Sequence, residues 1–236
     1  MDDSLAIDVG EVSLSYRVAG NPDAPPMVLL HGLTSDASSW DAVLPYLASR
    51  WRLYCPTLRG HGSSGWPGTY SFPVMKQDLL GFLDGLGLGR VTLVGHSMGG
   101  VVAYQFAEDH PDHVEALVLE ETPPPLPQQR PVPERPPGEL SYDWLARLAL
   151  VGQVNRPDPT WWDRLTEITA PTLVVGGGPE SPFSQEEMAA VAERIPTARM
   201  VSVPVGHGVH KTDPAEFASA VQEFLSRTAH VRTTQA

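Results

Sequence analysis

The chain has 236 residues, 42% apolar, 19% charged and 8% aromatic. That composition excludes wholesale disorder and is long enough for one sizeable core, so a single domain over residues 1–236 is expected. Lys and Arg number 16 against 28 Asp and Glu, a formal charge of −12, whose field repels phosphate backbones and anionic lipid surfaces and excludes nucleic acid and membranes as expected partners.

The opening Met1-Asp2-Asp3-Ser4 lacks the basic and apolar regions of a signal peptide, and no apolar run approaches the ~20 residues of a membrane helix. A single cysteine, Cys55, leaves no intrachain disulfide, so a soluble cytoplasmic protein is the expectation. Residues Glu11 to Val18 alternate polar and apolar, as a half-buried antiparallel edge strand does. Met27-Val28-Leu29-Leu30 is a continuous apolar run ending at His31-Gly32, the pattern of a fully buried strand feeding a loop. A helix is predicted from Ser39 to Ala48, a strand from Arg52 to Cys55, then the Gly-rich loop Arg59 to Gly65. The rhythm repeats with helix 72–86, strand 90–94, helix 98–109 and strand 114–119.

From about 122 to 169 the rhythm stops. Eight prolines between Pro123 and Pro137 exclude a central strand or a helix. Two short helices follow, over 142–148 and 160–165, and the whole reads as a small helical cap inserted into the domain. Strand 172–175, helix 185–194, strand 199–203 and helix 214–226 then complete the chain. Alternation of this kind predicts an α/β fold with a mostly parallel central sheet and helices on both faces.

Gly95-His96-Ser97-Met98-Gly99 has the form G-x-S-x-G directly between a predicted strand and a predicted helix. A sharp turn there holds the serine in a strained conformation, needs glycines where the backbones crowd, and points a helix N-terminus at developing negative charge. Ser97 is therefore the candidate nucleophile. A serine hydroxyl needs an imidazole to accept its proton, and the imidazole needs a carboxylate. His207, in Gly206-His207-Gly208 just past the last predicted strand, is favoured as base because its glycines let a loop reach the serine; His210 is the alternative, read as bracing the next turn.

Leu30-His31-Gly32, Arg59-Gly60-His61-Gly62-Ser63-Ser64, Gly95 to Gly100 and Gly206-His207, in that order, resemble the α/β-hydrolase fold superfamily over nearly the whole chain. The resemblance implies that Ser97 and His207 are nucleophile and base and that the backbone N–H groups of Leu33 and Met98 form an oxyanion hole, one such donor stabilising the intermediate by on the order of 3 kcal/mol. It leaves two positions for the acid. Glu180 stands a few residues past the strand that follows the cap, and Glu121 at the end of the strand after the nucleophile helix. A strand end is held by its ladder whereas Glu180 follows three glycines, so Glu121 is favoured; Glu120 points to the opposite face by period two. Thr57 stands where the family usually has aspartate, which puts the hydrogen bonding of the 59–65 loop in question.

No metal-ligand spacing and no dinucleotide or phosphate-loop fingerprint is present, so no cofactor or metal is expected. His31, His61 and His96 read as loop-bracing or site-lining groups, and Cys55 as a buried small hydrophobe. The expected function is hydrolysis of an ester or lactone of a small organic molecule through an acyl-enzyme. Thioesterase, amide and carbon–carbon bond hydrolysis share the same triad, and a low-turnover ligand-binding relative is a different class. Tyr142, Trp144, Trp161 and Trp162, with Trp66 and Phe183, either line an apolar pocket or pack the insertion onto the main body.

Overall fold

Strands buried on both faces form the middle of a single sheet. The computed structural model describes residues 5–233, with side chains as far as Thr228, so the four opening residues lie outside the description. Its strands are β1 (Leu5–Asp8), β2 (Ser13–Ala19), β3 (Pro26–Leu30), β4 (Arg52–Pro56), β5 (Val91–His96), β6 (Val114–Glu120), β7 (Thr172–Gly176) and β8 (Ala198–Ser202), in the spatial order β1-β2-β4-β3-β5-β6-β7-β8. From β4 to β8 all neighbours are parallel, whereas β1 pairs with β2, and β2 with β4, antiparallel. The antiparallel character expected for the second strand holds, but its place at the edge does not. The edge is β1, a four-residue strand with three exposed residues, too short and too exposed to carry a periodic signal.

The helices are α1 (Leu44–Leu47), α2 (Phe72–Gly85), α3 (Met98–Asp109), α4 (Trp144–Asn155), α5 (Thr160–Arg164), α6 (Gln185–Arg194), α7 (Val209–Thr212) and α8 (Pro214–Thr233). Period-two alternation splits each central strand between two cores. Val28 and Leu30 of β3, with Leu117 and Leu119 of β6, meet α2 and α3 on one face; Met27, Leu29, Ala116 and Val118 meet α1 and α8 on the other. The helix expected over 39–48 is instead a 3-10 turn at Ala37–Trp40 followed by α1. Pro45 explains the break: it has no N–H to give and fits only the first turn of a helix.

Between β6 and β7 the prolines keep the backbone out of regular structure as far as α4, whose first turn is capped by Asp143 accepting from Leu145 N–H. This excursion is tied to the Gly-rich loop: Asp143 N–H donates to the Gly60 carbonyl (2.7 Å), Gly62 N–H to the Ser141 carbonyl (2.6 Å), and the Tyr70 hydroxyl to Asp143. Its aromatics chiefly serve packing. Tyr142 is buried and stacks on His61, Trp161 meets Phe72 edge to face at 5.8 Å, and Trp66 is left exposed. Beneath the same loop Arg59 makes a bidentate ion pair with Asp78, both side chains 3% exposed. Thr57 fits without an aspartate, since its hydroxyl accepts from Ala37 N–H and its carbonyl from the Ser64 hydroxyl. Cys55 is buried, and burial pushes its thiol up to about 12, well away from reactivity. No described helix is long and apolar enough to cross a membrane.

One carboxyl in α3 makes stability depend on pH. Glu108 has a fully buried side chain whose oxygens lack hydrogen-bond partners, with Arg164 at 3.6 Å. Burial pushes its carboxyl up to about 8 against the opposing pull of Arg164. A raised carboxyl contributes stability that is complete below its unfolded value and declines as pH rises through about 8. Glu108→Gln, neutral throughout, is therefore expected to gain on the wild type between pH 5 and pH 9, by on the order of 3 kcal/mol in urea denaturation. A constant difference across that range would refute the assignment.

Candidate active site

Strained residues follow the ends of three adjacent strands. Among the described residues the non-glycine residues with positive φ are Thr34 (68°), just past β3, Ser97 (52°), at the end of β5, and Glu121 (45°), at the end of β6. Each such conformation costs on the order of 1–3 kcal/mol and persists only where the surroundings enforce it. All three lie at the carboxyl edge of the sheet, where β3 leads back to β4 on one side while β5 extends it on the other, the switch point at which open α/β sheets place ligands.

Around Ser97 the enforcement is steric. Its N–H donates to the Glu120 carbonyl (2.9 Å) while α3 begins at the next residue. A Cβ at Gly95 would sit 2.5 Å from the Gly99 carbonyl oxygen, and one at Gly99 2.4 Å from the Leu30 carbonyl oxygen, so neither position accepts a side chain without moving backbone. The turn points Ser97 into a cavity of about 40 Å³ lined by Leu33, Met98, Phe72, Pro123, Leu150 and Arg130 among others. Leu33 and Met98, the expected oxyanion donors, thus flank the serine, and Met98 heads a helix whose first N–H groups have no intrahelical acceptor. A larger groove of about 540 Å³ lies at the opposite edge of the sheet, near Thr92 and Ala116, far from this chemistry.

His207 and Glu121 meet. The His207 Nδ1–H donates to Glu121 Oε2 at 3.2 Å; the same carboxylate also accepts from Gly177 N–H and from the Ser181 hydroxyl. Burial by itself would raise the Glu121 carboxyl, but the hydrogen bonds from His207, Ser181 and Gly177 hold it below the ordinary range. Glu180 is exposed, ends a 3-10 turn, and makes no hydrogen bond to His207 among the described residues. Nor does a hydrogen bond join Ser97 to His207; the two are linked through His96, whose Nε2–H donates to the His207 carbonyl (2.8 Å) and whose ring lies 4.8 Å from that of His207. Burial drives His31 down to about 3 and His96 to about 4, so both stay neutral near pH 7 as structural donors and acceptors.

A second acid–histidine pair lies underneath. Glu120 continues the inner face of β6, is fully buried, and accepts from both the N–H and the Nδ1–H of His210, whose ring packs on Trp40 at 4.2 Å. Neighbouring glutamates thus capture two histidines of one short segment, Glu121 taking His207 and Glu120 taking His210. The expected brace at His210 therefore reaches across to β6 and not merely along its own turn. Ligand atoms of His96, Glu120 and His210 lie within 4.8 Å of one another, a grouping no sequence spacing announced, but both Glu120 oxygens and His210 Nδ1 already satisfy each other. Glu120→Ala leaves His210 buried without its acceptor and is expected to cost about 3 kcal/mol, a Tm drop of roughly 6–12 °C by thermal denaturation.

A family model described as alpha/beta hydrolase fold matches residues 25–164, more than half of the chain and including the Ser97 turn. The chain belongs to the alpha/beta-hydrolase fold family. A fluoroacetate dehalogenase of Burkholderia is 37% identical over 119 residues, which are 48% of this chain and 38% of the dehalogenase, so the chain spans well under half of that relative's length. A Bacillus subtilis protein named 2-succinyl-6-hydroxy-2,4-cyclohexadiene-1-carboxylate synthase is 30% identical, covering 89% of this chain and 94% of its own. Among solved structures, a thermophilic esterase from Thermogutta terrifontis superposes on this alpha/beta-hydrolase fold with a TM-score of 0.78 and 28% identity, covering 96% of this chain and 99% of the esterase. Ser181 and Gly177, which hold Glu121, and the Glu120–His210 pair were not singled out by sequence reasoning; the adjacent Glu120-Glu121 set against His207 and His210 was the signal available.

Proposed function

We propose that the protein is a serine hydrolase that cleaves an ester or lactone of a small organic substrate through an acyl-enzyme, with residues 122–169 as a cap over the site. The observation that carries the reading is the strained Ser97 turn facing a cavity, one residue away from a histidine ring in contact with the Glu121-bound His207. In this mechanism Ser97 Oγ attacks the substrate carbonyl while His207 accepts its proton, and Glu121 fixes the imidazole tautomer and stabilises the cation. The oxyanion receives the N–H groups of Leu33 and Met98. Collapse expels the alcohol with the proton from His207, and a water repeats the sequence to release the acid. The Ser97–His207 bond closes when substrate occupies the cavity, as such bonds tighten in the Michaelis complex.

The decisive experiment is labelling with a fluorophosphonate, located by peptide mass spectrometry, together with hydrolysis of p-nitrophenyl esters, lactones and thioesters. An adduct on the Ser97 peptide and turnover of oxygen esters or lactones, unaffected by a chelator, are expected. Absence of the adduct would overturn the nucleophile, and exclusive turnover of thioesters would overturn the substrate class.

A further inference from the structure

One cation beside Ser97 has no acid to answer it. Arg130 lines the cavity over the nucleophile, in an otherwise apolar wall of Leu33, Phe72, Met98 and Leu150. Its Nε is buried without a hydrogen-bond partner, and among the described residues it forms no ion pair. The cavity lining contains no carboxylate, and Glu121 is taken up by His207, Ser181 and Gly177.

The placement of this side chain is enforced. Most of the proline-rich segment runs without regular structure, yet the Arg130 backbone is clamped on both sides by one residue of α4, its N–H donating to Asn155 Oδ1 (2.9 Å) and its carbonyl accepting from Asn155 Nδ2 (2.8 Å). The guanidinium carbon sits 4.1 Å from the Phe183 ring centre, and that ring is 5.3 Å from His207. Phe183 is buried, so the stack also holds the charge toward the site. A guanidinium stays ionised in proteins, and holding one partly out of water without a counter-ion costs stability, which an arriving anion recovers.

We propose that Arg130 is the anion-binding element of the acyl pocket, and that the substrate carries a carboxylate on its acyl part a few bonds from the scissile carbonyl. The assignment rests on Ser97 being the nucleophile. The acyl side is chosen because His207, which hands its proton to the leaving group, does not line the cavity, whereas Arg130 does. A planar guanidinium meets a carboxylate with two parallel hydrogen bonds, and the small, mostly apolar cavity that Arg130 and Ser97 both line favours a short chain.

The test compares p-nitrophenyl hemisuccinate with p-nitrophenyl pentanoate, of similar acyl length and opposite polarity at the tip. Wild-type protein is expected to favour the hemisuccinate in kcat/KM. Arg130→Met should lose about 10–100-fold on hemisuccinate and change less than about threefold on pentanoate, with Arg130→Lys retaining part of the preference. Free succinate should inhibit pentanoate hydrolysis competitively in the wild type and not in Arg130→Met. Labelling of Ser97 by fluorophosphonate without any preference for the anionic ester, or equal losses on both esters, would overturn the role of Arg130 and leave the hydrolase reading standing. No labelling would take down the nucleophile and this inference together.

Discussion

Replacing Ser97 by alanine is expected to lower kcat for the best p-nitrophenyl ester by at least ~10⁴-fold, with KM changed little and the fold intact. The size of the loss follows from the proposed mechanism: without the hydroxyl no acyl-enzyme forms, and only binding and the proposed oxyanion donors at Leu33 and Met98 remain to assist water. Alanine is a fair probe because the turn is enforced by its neighbours. A Cβ at Gly95 or Gly99 would run into backbone, and the Ser97 N–H is held by the Glu120 carbonyl, contacts that survive loss of the side-chain oxygen. The φ of 52° costs an alanine about what it costs a serine, so circular dichroism and Tm should hold within a few degrees. Retention of more than a hundredth of the wild-type rate in Ser97→Ala would rule the serine out as nucleophile.

The second large effect separates the two glutamates. Glu121→Gln is expected to reduce kcat by about 10³- to 10⁴-fold, whereas Glu180→Gln should stay within about threefold of wild type. Glu121 Oε2 accepts from both His207 and Ser181, and Oε1 from Gly177 N–H. An amide in that place has one acceptor for three donors, and its own N–H₂ faces hydrogens, so the imidazole is driven to the wrong tautomer or turned away. The Glu121 carboxyl is held below its ordinary value, so its contribution to stability is present above that value and is lost as pH falls through the lowered one. Glu121→Gln should accordingly lose more stability relative to wild type at pH 7 than at pH 3. Loss of activity in Glu180→Gln with Glu121→Gln unharmed would reverse the assignment.

Much of this molecule is legible from residue order because the signals are local. The strand-to-helix setting of Gly95 to Gly99 needs only neighbours in sequence, and β5, α3 and β6 begin and end within two residues of where their patterns place them. The alternation that splits Met27 and Leu29 from Val28 and Leu30 likewise splits Ala116 and Val118 from Leu117 and Leu119 in β6, which ends at Glu120. Local signals fail where the deciding contact is distant or the element is short. The four-residue edge strand β1 has too few residues for a period, and Pro45 breaks an apolar pattern that otherwise reads as one helix.

Sequence by itself determined the strand-to-helix turn at Ser97, the parallel sheet that presents it, and the short list of histidines and glutamates from which the proposed relay is drawn. Tertiary structure decided the pairing, because a hydrogen bond between residues 86 or 90 positions apart leaves no periodic trace in either partner's surroundings: His207 goes to Glu121 and His210 to Glu120. It likewise decided what surrounds the serine. The proline run that reads only as irregular chain is anchored through Asn155 and Phe183 so that Arg130 faces the cavity over Ser97. Prolines forbid helix and strand without specifying a path, and the path comes from side chains far away in the sequence.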